Sequence, residues 1–362
     1  MKIIYDSFIF SEQTYGGISR YFYELIKSLN KEKDIKTLTP LVFSNNYYIR
    51  DKKYFKHLTL FPNKRIRGKQ RFIFLINRIA FLIALQKKDF DIVHPTYYDT
   101  YFLKYIGNKK LVITVYDMIH EKFFQDKITE KKRLLCERAD LIITISENTK
   151  QDLIEIFNIM ESKIKVVYLA TSLEISHKKK INIALPKKYI LFVGQRGSYK
   201  NFDRFIAVIS KLIQNNENFH VICVGGHNFN DKEISMLRYF NVEDKVIQLN
   251  LNDDMLSFLY KNALLFVLPS LYEGFGIPIL ESFACGCPVA CSNTSSLPEI
   301  AMDGAAYFDP LDEESIYDCI NNVILNDNYK EQLVKNAYRR LESFSWEITA
   351  KKTKAIYDEV MR

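Results

Sequence analysis

No Cys-x-x-Cys pair occurs among the six cysteines, Cys136, Cys223, Cys285, Cys287, Cys291 and Cys319. The cluster Cys285, Cys287 and Cys291 fits no common zinc spacing, and no histidine lies close to it in sequence. Small buried thiols in a reduced, cytoplasmic protein are the expectation. No signal-peptide pattern precedes the first apolar run, Ile3 to Tyr5. There is no internal repeat and no low-complexity tract. The Gly-x-Gly-x-x-Gly fingerprint is also missing, and no acidic residue marks a following second strand, which counts against dinucleotide binding. No Asp-x-Asp motif occupies a suitable loop; Asp253-Asp254 is adjacent rather than spaced and fits a helix start.

One long stretch lacks acidic residues. Between Lys52 and Lys88 stand eleven Lys or Arg and no Asp or Glu. The remainder holds 40 basic and 43 acidic residues, so the net charge of +8 is local and implies a local anionic partner. Within it, residues 64–88 join basic side chains to the apolar runs 72–76 and 79–85, too short and broken to span a bilayer. The stretch reads either as a basic amphipathic helix on an anionic membrane surface or as a core-packed helix with solvated ends. No recognition motif accompanies it, so nucleic acid is not an expected partner.

What is present is a regular alternation. Short, β-rich apolar runs at residues 2–6, 91–94, 111–115, 141–145 and 164–168 alternate with helical stretches, and the pattern resumes at 189–193, 220–224, 245–249, 264–268, 288–291 and 305–308. These strands are apolar nearly throughout, as expected when helices cover both sheet faces. The class is α/β with two Rossmann-like, doubly wound parallel-sheet domains facing across a cleft. The expected boundaries are 1–172, a polar, lysine-rich linker at 173–188, a second domain at 189–344, and a helix at 345–362 capped by Ser345 and packing back on the first domain.

Four loops carry chemistry. After the strand at 264–268 comes Glu273-Gly274-Phe275-Gly276-Ile277-Pro278-Ile279-Leu280-Glu281. Two carboxylates across a strand–loop–helix junction can accept paired hydrogen bonds from vicinal hydroxyls, and Gly274 and Gly276 permit close backbone approach beside a helix start. Glu281 in the first turn could equally just complement the helix dipole. After 189–193 comes Gly194-Gln195-Arg196-Gly197-Ser198-Tyr199-Lys200-Asn201, where Arg196 and Lys200 are either anion ligands or surface cations beside a turn. After the first strand, Tyr15-Gly16-Gly17-Ile18-Ser19-Arg20 offers a backbone anion site or an ordinary turn. Past 111–115, Tyr116-Asp117-Met118-Ile119-His120 holds a loop histidine; His94, followed by Pro95-Thr96-Tyr97, is its rival.

Glu273-x7-Glu281, continued by Ala284-Cys285-Gly286-Cys287-Pro288-Val289 and Leu297-Pro298-Glu299-Ile300, resembles the donor-site signature of retaining GT-B glycosyltransferases of family 4. The resemblance covers most of the chain, is specific in the second half, and weakens between residues 40 and 90. It implies that Glu273 contacts the transferred sugar and Glu281 the ribose hydroxyls. The Phe275, Gly276 and Ile277 segment would lie near sugar or phosphate, with Arg196 and Lys200 on the diphosphate and the strand ending at Leu249 along the base. Gly16 and Gly17 would face the donor from the first domain, brought onto it with His120 by domain closure. Relatives commonly read His-Asp where this chain has Tyr116-Asp117; His120 is therefore taken as the active-site histidine, with Asp117 orienting it or the acceptor. His94, Tyr97 and Tyr116 are acceptor-side candidates. Asn250 stands where relatives often have Gly.

The implied reaction is transfer of a hexose from a nucleoside diphosphate sugar to a saccharide or lipid-linked saccharide acceptor. It proceeds with retention, giving an α-linkage, and needs no divalent metal or other cofactor. Tyr199-Lys200-Asn201, Leu297-Pro298-Glu299 and Phe308-Asp309-Pro310 look most like mannosyltransferases of bacterial surface polysaccharides, which puts GDP-mannose first and UDP-hexoses second. A peripheral position on the cytoplasmic face of the inner membrane would suit the basic stretch. Two alternatives stay open: a GT-B-shaped sugar-nucleotide epimerase, and a non-catalytic scaffold that binds a sugar nucleotide or membrane.

Overall fold

Twelve short strands form among the described residues and all of them pair in parallel; most are apolar runs buried on both faces. The computed structural model describes residues 1–62, 66–124, 126–173, 185–215, 218–251 and 253–362. The chain divides into two compact units: Met1–Leu169 with Ser345–Arg362, and Ala170–Phe344. Most of the expected linker, residues 174–184, lies outside the described residues, as do Lys64 and Arg65 of the basic stretch.

In the first unit the strands are β1 (Lys2–Tyr5), β2 (Lys36–Leu38), β3 (Ile92–His94), β4 (Lys110–Val115), β5 (Leu141–Thr144) and β6 (Ile164–Val166), in the order β2-β1-β3-β4-β5-β6. In the second they are β7 (Tyr189–Val193), β8 (His220–Val224), β9 (Val246–Leu249), β10 (Leu265–Leu268), β11 (Val289–Ser292) and β12 (Ala305–Phe308), in the order β12-β11-β10-β7-β8-β9. The strand order therefore reverses between β1 and β3 in one unit and between β7 and β10 in the other. In open α/β sheets, ligands bind at the carboxyl ends of the strands flanking such a reversal. Sequence reading missed β2, a three-residue edge strand with no fully buried residue. No helix among the described residues is long and apolar enough to cross a membrane.

The helix Trp346–Val360 belongs to the first unit. Ser345 caps it by accepting from the Ile348 amide, and Thr349 donates to the Tyr168 carbonyl. Its Tyr357 hydroxyl lies 2.9 Å from that of Tyr5 and 2.6 Å from Nδ1 of His94. Nε2 of His94 meets the Thr114 hydroxyl at 2.9 Å, and Phe22 packs edge-on against the ring. This corrects the expectation for His94. Completely buried with both nitrogens engaged, it is a core residue and presents no polar atom to an acceptor. Cys285, Cys287 and Cys291 are buried thiols, as their composition implied.

Burial also pulls the His94 imidazole down to about 3. A folded-state value below the ordinary one means the neutral ring contributes fully above about pH 6.5. That contribution is lost as pH falls toward 3, because the unfolded chain takes up a proton that the folded chain refuses, at about 1.4 kcal/mol per pH unit. Unfolding free energies measured between pH 7 and 4 should thus fall more steeply for the wild type than for His94→Gln. Parallel slopes would show that the ring is protonated in the fold.

Candidate functional site

The second unit's reversal brings two loops side by side. The loop after β7 begins at Gly194, whose amide donates to the Val224 carbonyl, and ends in a turn, Ser198–Lys200, closed by the Lys200 amide on the Gly197 carbonyl at 2.9 Å. The loop after β10 runs from Pro269 to Gly276. The Leu271 amide ties the two together by donating to the Tyr199 carbonyl at 2.7 Å. Lys200 Nζ then reaches Glu273 Oε1 at 2.5 Å, and the Ser270 hydroxyl donates to the same oxygen at 2.6 Å. The backbone of Glu273 is pinned as well: its amide donates to Ser295 Oγ at 3.0 Å, and its carbonyl accepts from Ser296 Oγ at 2.8 Å. Both charged side chains keep part of their surface open, 15% for Lys200 and 12% for Glu273, so they are oriented without being sealed off.

Glu273 leads into the helix Ile277–Ala284 through Gly276, which has φ +92° and stands at the N-cap. Pro278 occupies the first turn, where its missing N–H costs nothing. The Phe275 ring is buried edge-on against Phe344, so this segment offers a ligand its backbone and not its ring. Glu281 is the fifth residue of the helix, and the first turn contains no acidic residue. That corrects its expected place and removes the helix-dipole explanation for it. It is nearly buried, and the Tyr260 hydroxyl donates to Oε2 at 3.3 Å. Leu249 ends β9, where its carbonyl accepts from the Gly225 amide.

Gly276 is a residue that no side chain can replace easily. A Cβ would sit 2.8 Å from Leu297 Cδ2 in a left-handed conformation that other residues avoid. Gly276→Ala should cost about 1–2 kcal/mol, whereas Gly197→Ala, with open space around it, should stay within about 0.5 kcal/mol of wild type. Thermal unfolding of the two variants checks this; equal midpoints would contradict the constraint.

Arg196 is placed differently from its expected role. Its Nε donates to Glu233 at 2.7 Å, and its terminal nitrogens donate to the carbonyls of Gly225, Gly226 and His227 at 2.8–3.1 Å. The guanidinium stacks over Phe229 at 4.7 Å, and the side chain is 2% exposed. Glu233 in turn completes a capping box with Asn230 at the start of the helix Asp231–Tyr239. Arg196 is thus a buried clamp between successive β–α loops, and Lys200 is the cation that remains at the site.

In the first unit, Gly16 and Gly17 start the helix Gly17–Leu29, and Gln13 Oε1 accepts from the Ser19 amide there. A Cβ on Gly16 would lie 2.4 Å from that oxygen. His120 is half-buried, but its partner is Asp126, at 2.9 Å from Nδ1, and not Asp117. Asp117 accepts from the Ile119 amide, and its carbonyl takes the ammonium of buried Lys132, which also pairs with Glu121. The Tyr116 hydroxyl is turned into the unit, donating to the Thr96 carbonyl, while half-buried Tyr97 stacks on Phe8. Sequence reading missed Ser270, Ser295, Ser296, Gln13, Asp126 and Glu233. Only Glu233 carried a signal, the Asn230-x-x-Glu233 capping box.

A parallel α/β unit with a cation–carboxylate pair at its strand reversal has its charged groups where such sheets bind ligands. Comparison with known proteins gives the family. Residues 15–174 match the model of Glycosyltransferase Family 4, and residues 174–340 match that of Glycosyl transferases group 1. The chain belongs to the family 4 glycosyltransferases, with a GT-B fold. It is 27% identical over 361 residues to O-antigen chain mannosyltransferase B of Escherichia coli, covering 91% of this chain and 93% of that one. It is 31% identical over 235 residues to an uncharacterized glycosyltransferase of Methanocaldococcus jannaschii, a match spanning 61% of this chain and 60% of that protein. The structure of Anabaena Alr3699/HepE in complex with UDP and glucose superposes with a TM-score of 0.77 at 16% identity, covering 99% of both chains. At that identity the likeness speaks to the fold.

Proposed function

We propose that the chain transfers a hexose, first mannose from GDP-mannose and otherwise from a UDP-hexose, to a saccharide or lipid-linked saccharide acceptor in surface-polysaccharide synthesis. Transfer proceeds with retention, gives an α-linkage and requires no metal. The observation that carries this is the Lys200–Glu273 pair held at the β7–β10 reversal. Breaking the sugar–phosphate bond leaves negative charge on a diphosphate. A lysine ammonium and the amide-bearing start of the helix Ile277–Ala284 are suited to receive it. Glu273, held by Ser270, Ser295 and Ser296, would accept hydrogen bonds from sugar hydroxyls, and Glu281 from a ribose. The mannosyltransferase relative supports the sugar named first.

The test is product analysis with GDP-mannose or UDP-hexoses and a membrane-extracted acceptor. We expect donor-dependent product whose anomeric coupling shows an α-linkage. A β-linked product would refute retention. Rapid conversion of donor alone into its epimer would instead establish the epimerase.

A further inference from the structure

The first unit's strand reversal, between β1 and β3, is flanked by a second feature. A cavity of about 300 Å³ is lined by Ser7 and Phe8 after β1, by Asp99 and Tyr101 after β3, and by Arg71, Phe74, Leu75 and Arg78 from the helix Lys69–Gln86. The helix is fixed in place by buried Asn77. Its side chain accepts from the Val42 and Phe43 amides and donates to Ser11 Oγ and the Phe43 carbonyl. Only Ile73, Asn77, Phe81 and Leu85 of this helix are buried, a narrow stripe repeating every four residues. The opposite side leaves Phe72, Leu75, Ile79 and Ile83 exposed at 45–56%, an apolar row turned outward on a rigid element. Arg71 and Arg78, two helical turns apart, stand beside that row. Arg78 stacks on Tyr101 at 4.0 Å, and among the described residues neither guanidinium has an ion-pair or hydrogen-bond partner. Asp99, the one carboxylate in the lining, is bound to Lys131 at 3.3 Å.

Two guanidiniums without an ion-pair partner among the described residues, beside aromatic walls and an outward apolar row, form an amphiphilic site. Arginine forks match phosphate oxygens, and the row suits a hydrocarbon chain at a bilayer surface. We propose that this cavity binds the phosphate end of a lipid-linked acceptor, with Arg71 and Arg78 on the phosphate oxygens and Phe8, Phe74 and Tyr101 against the first carbons of its chain. The proposal rests on the reading of the chain as a glycosyltransferase and specifies the lipid-linked form of its acceptor. Its position at the strand reversal is where an open α/β sheet binds ligands, and the acid-free stretch from Lys52 to Lys88 supplies the field that draws an anion there.

The test uses the full-length protein and three soluble probes: farnesyl diphosphate, inorganic diphosphate and farnesol. Calorimetry should show farnesyl diphosphate binding well above both others. Its Kd should rise about tenfold or more in the double variant Arg71→Gln, Arg78→Gln and stay unchanged in Lys200→Ala. Equal affinity for inorganic and farnesyl diphosphate would reduce the cavity to a free-anion site and overturn the proposal. So would binding that survives the arginine changes but vanishes in Lys200→Ala, because the probe would then occupy the donor site. Both arginines are exposed, so the double variant should melt with the wild type; if it does not, Arg71→Gln alone must still weaken binding. Failure here together with normal transfer to a free saccharide would leave the donor reading intact.

Discussion

Glu273→Gln should reduce transfer by at least about a hundredfold while the protein unfolds within a few degrees of the wild type. The expected magnitude follows from what one oriented polar contact to a transition state contributes. The modest stability effect follows from the isosteric change: glutamine keeps the carbonyl that accepts from Ser270 and Lys200, and the Lys200 ammonium retains some open surface. Lys200→Ala should act differently, weakening donor binding along with turnover, because it removes the ammonium proposed to face the diphosphate and leaves Glu273 to repel it. Steady-state kinetics separates the two as a kcat effect against a mixed kcat and KM effect. Undiminished turnover by Glu273→Gln would move the active site elsewhere.

The second large effect is on stability. Arg196→Met should cost about 3–5 kcal/mol, since it strands Glu233 as a nearly buried charge and leaves several carbonyls without their donor. For a unit of this size that corresponds to a midpoint lowered by roughly 10 °C. Removing the orphaned charge as well, in Arg196→Met with Glu233→Gln, should recover a good part of the loss. Donor affinity of the folded fraction should change little. The opposite pattern, wild-type melting with donor binding abolished, would return Arg196 to the role of a phosphate ligand. Of the two cations of one loop, Arg196 holds the fold and Lys200 is the one proposed to meet a ligand.

That division shows where the sequence was readable. Strands such as β7, β8 and β12 stand where their apolar runs place them, because burial on both faces writes a continuous apolar segment into the chain. β2 could not be read this way: Lys36–Leu38 is an edge strand whose side chains reach solvent. Lys200 and Glu273 were legible because each follows a buried strand, and the sheet order then sets those strands side by side. The direction of Arg196 was not, since a glycine-bearing loop can aim a cation either way and the deciding partner lies in the next β–α unit. His120 shows the same limit. Asp117 is nearer in sequence, yet Asp126 sits at the start of the helix Lys127–Arg138, where it caps the chain and meets the imidazole together. Neither His94 nor Tyr116 could be told from a site residue by composition; only the packing of the helix Trp346–Val360 and the Thr96 carbonyl show them engaged within the unit.

The central claim is that the β7–β10 reversal, through Lys200, holds a nucleoside diphosphate. Thermal unfolding with GDP and UDP, for the wild type, Lys200→Ala and Arg196→Met, measures it directly. A ligand that binds only the folded state adds about 2.7 kcal/mol at a hundred times its Kd. We expect at least one of the two nucleotides to raise the wild-type midpoint, the same rise in Arg196→Met from its lower baseline, and little or none in Lys200→Ala. No rise with either nucleotide, or a full rise in Lys200→Ala, would contradict the assignment of the donor site.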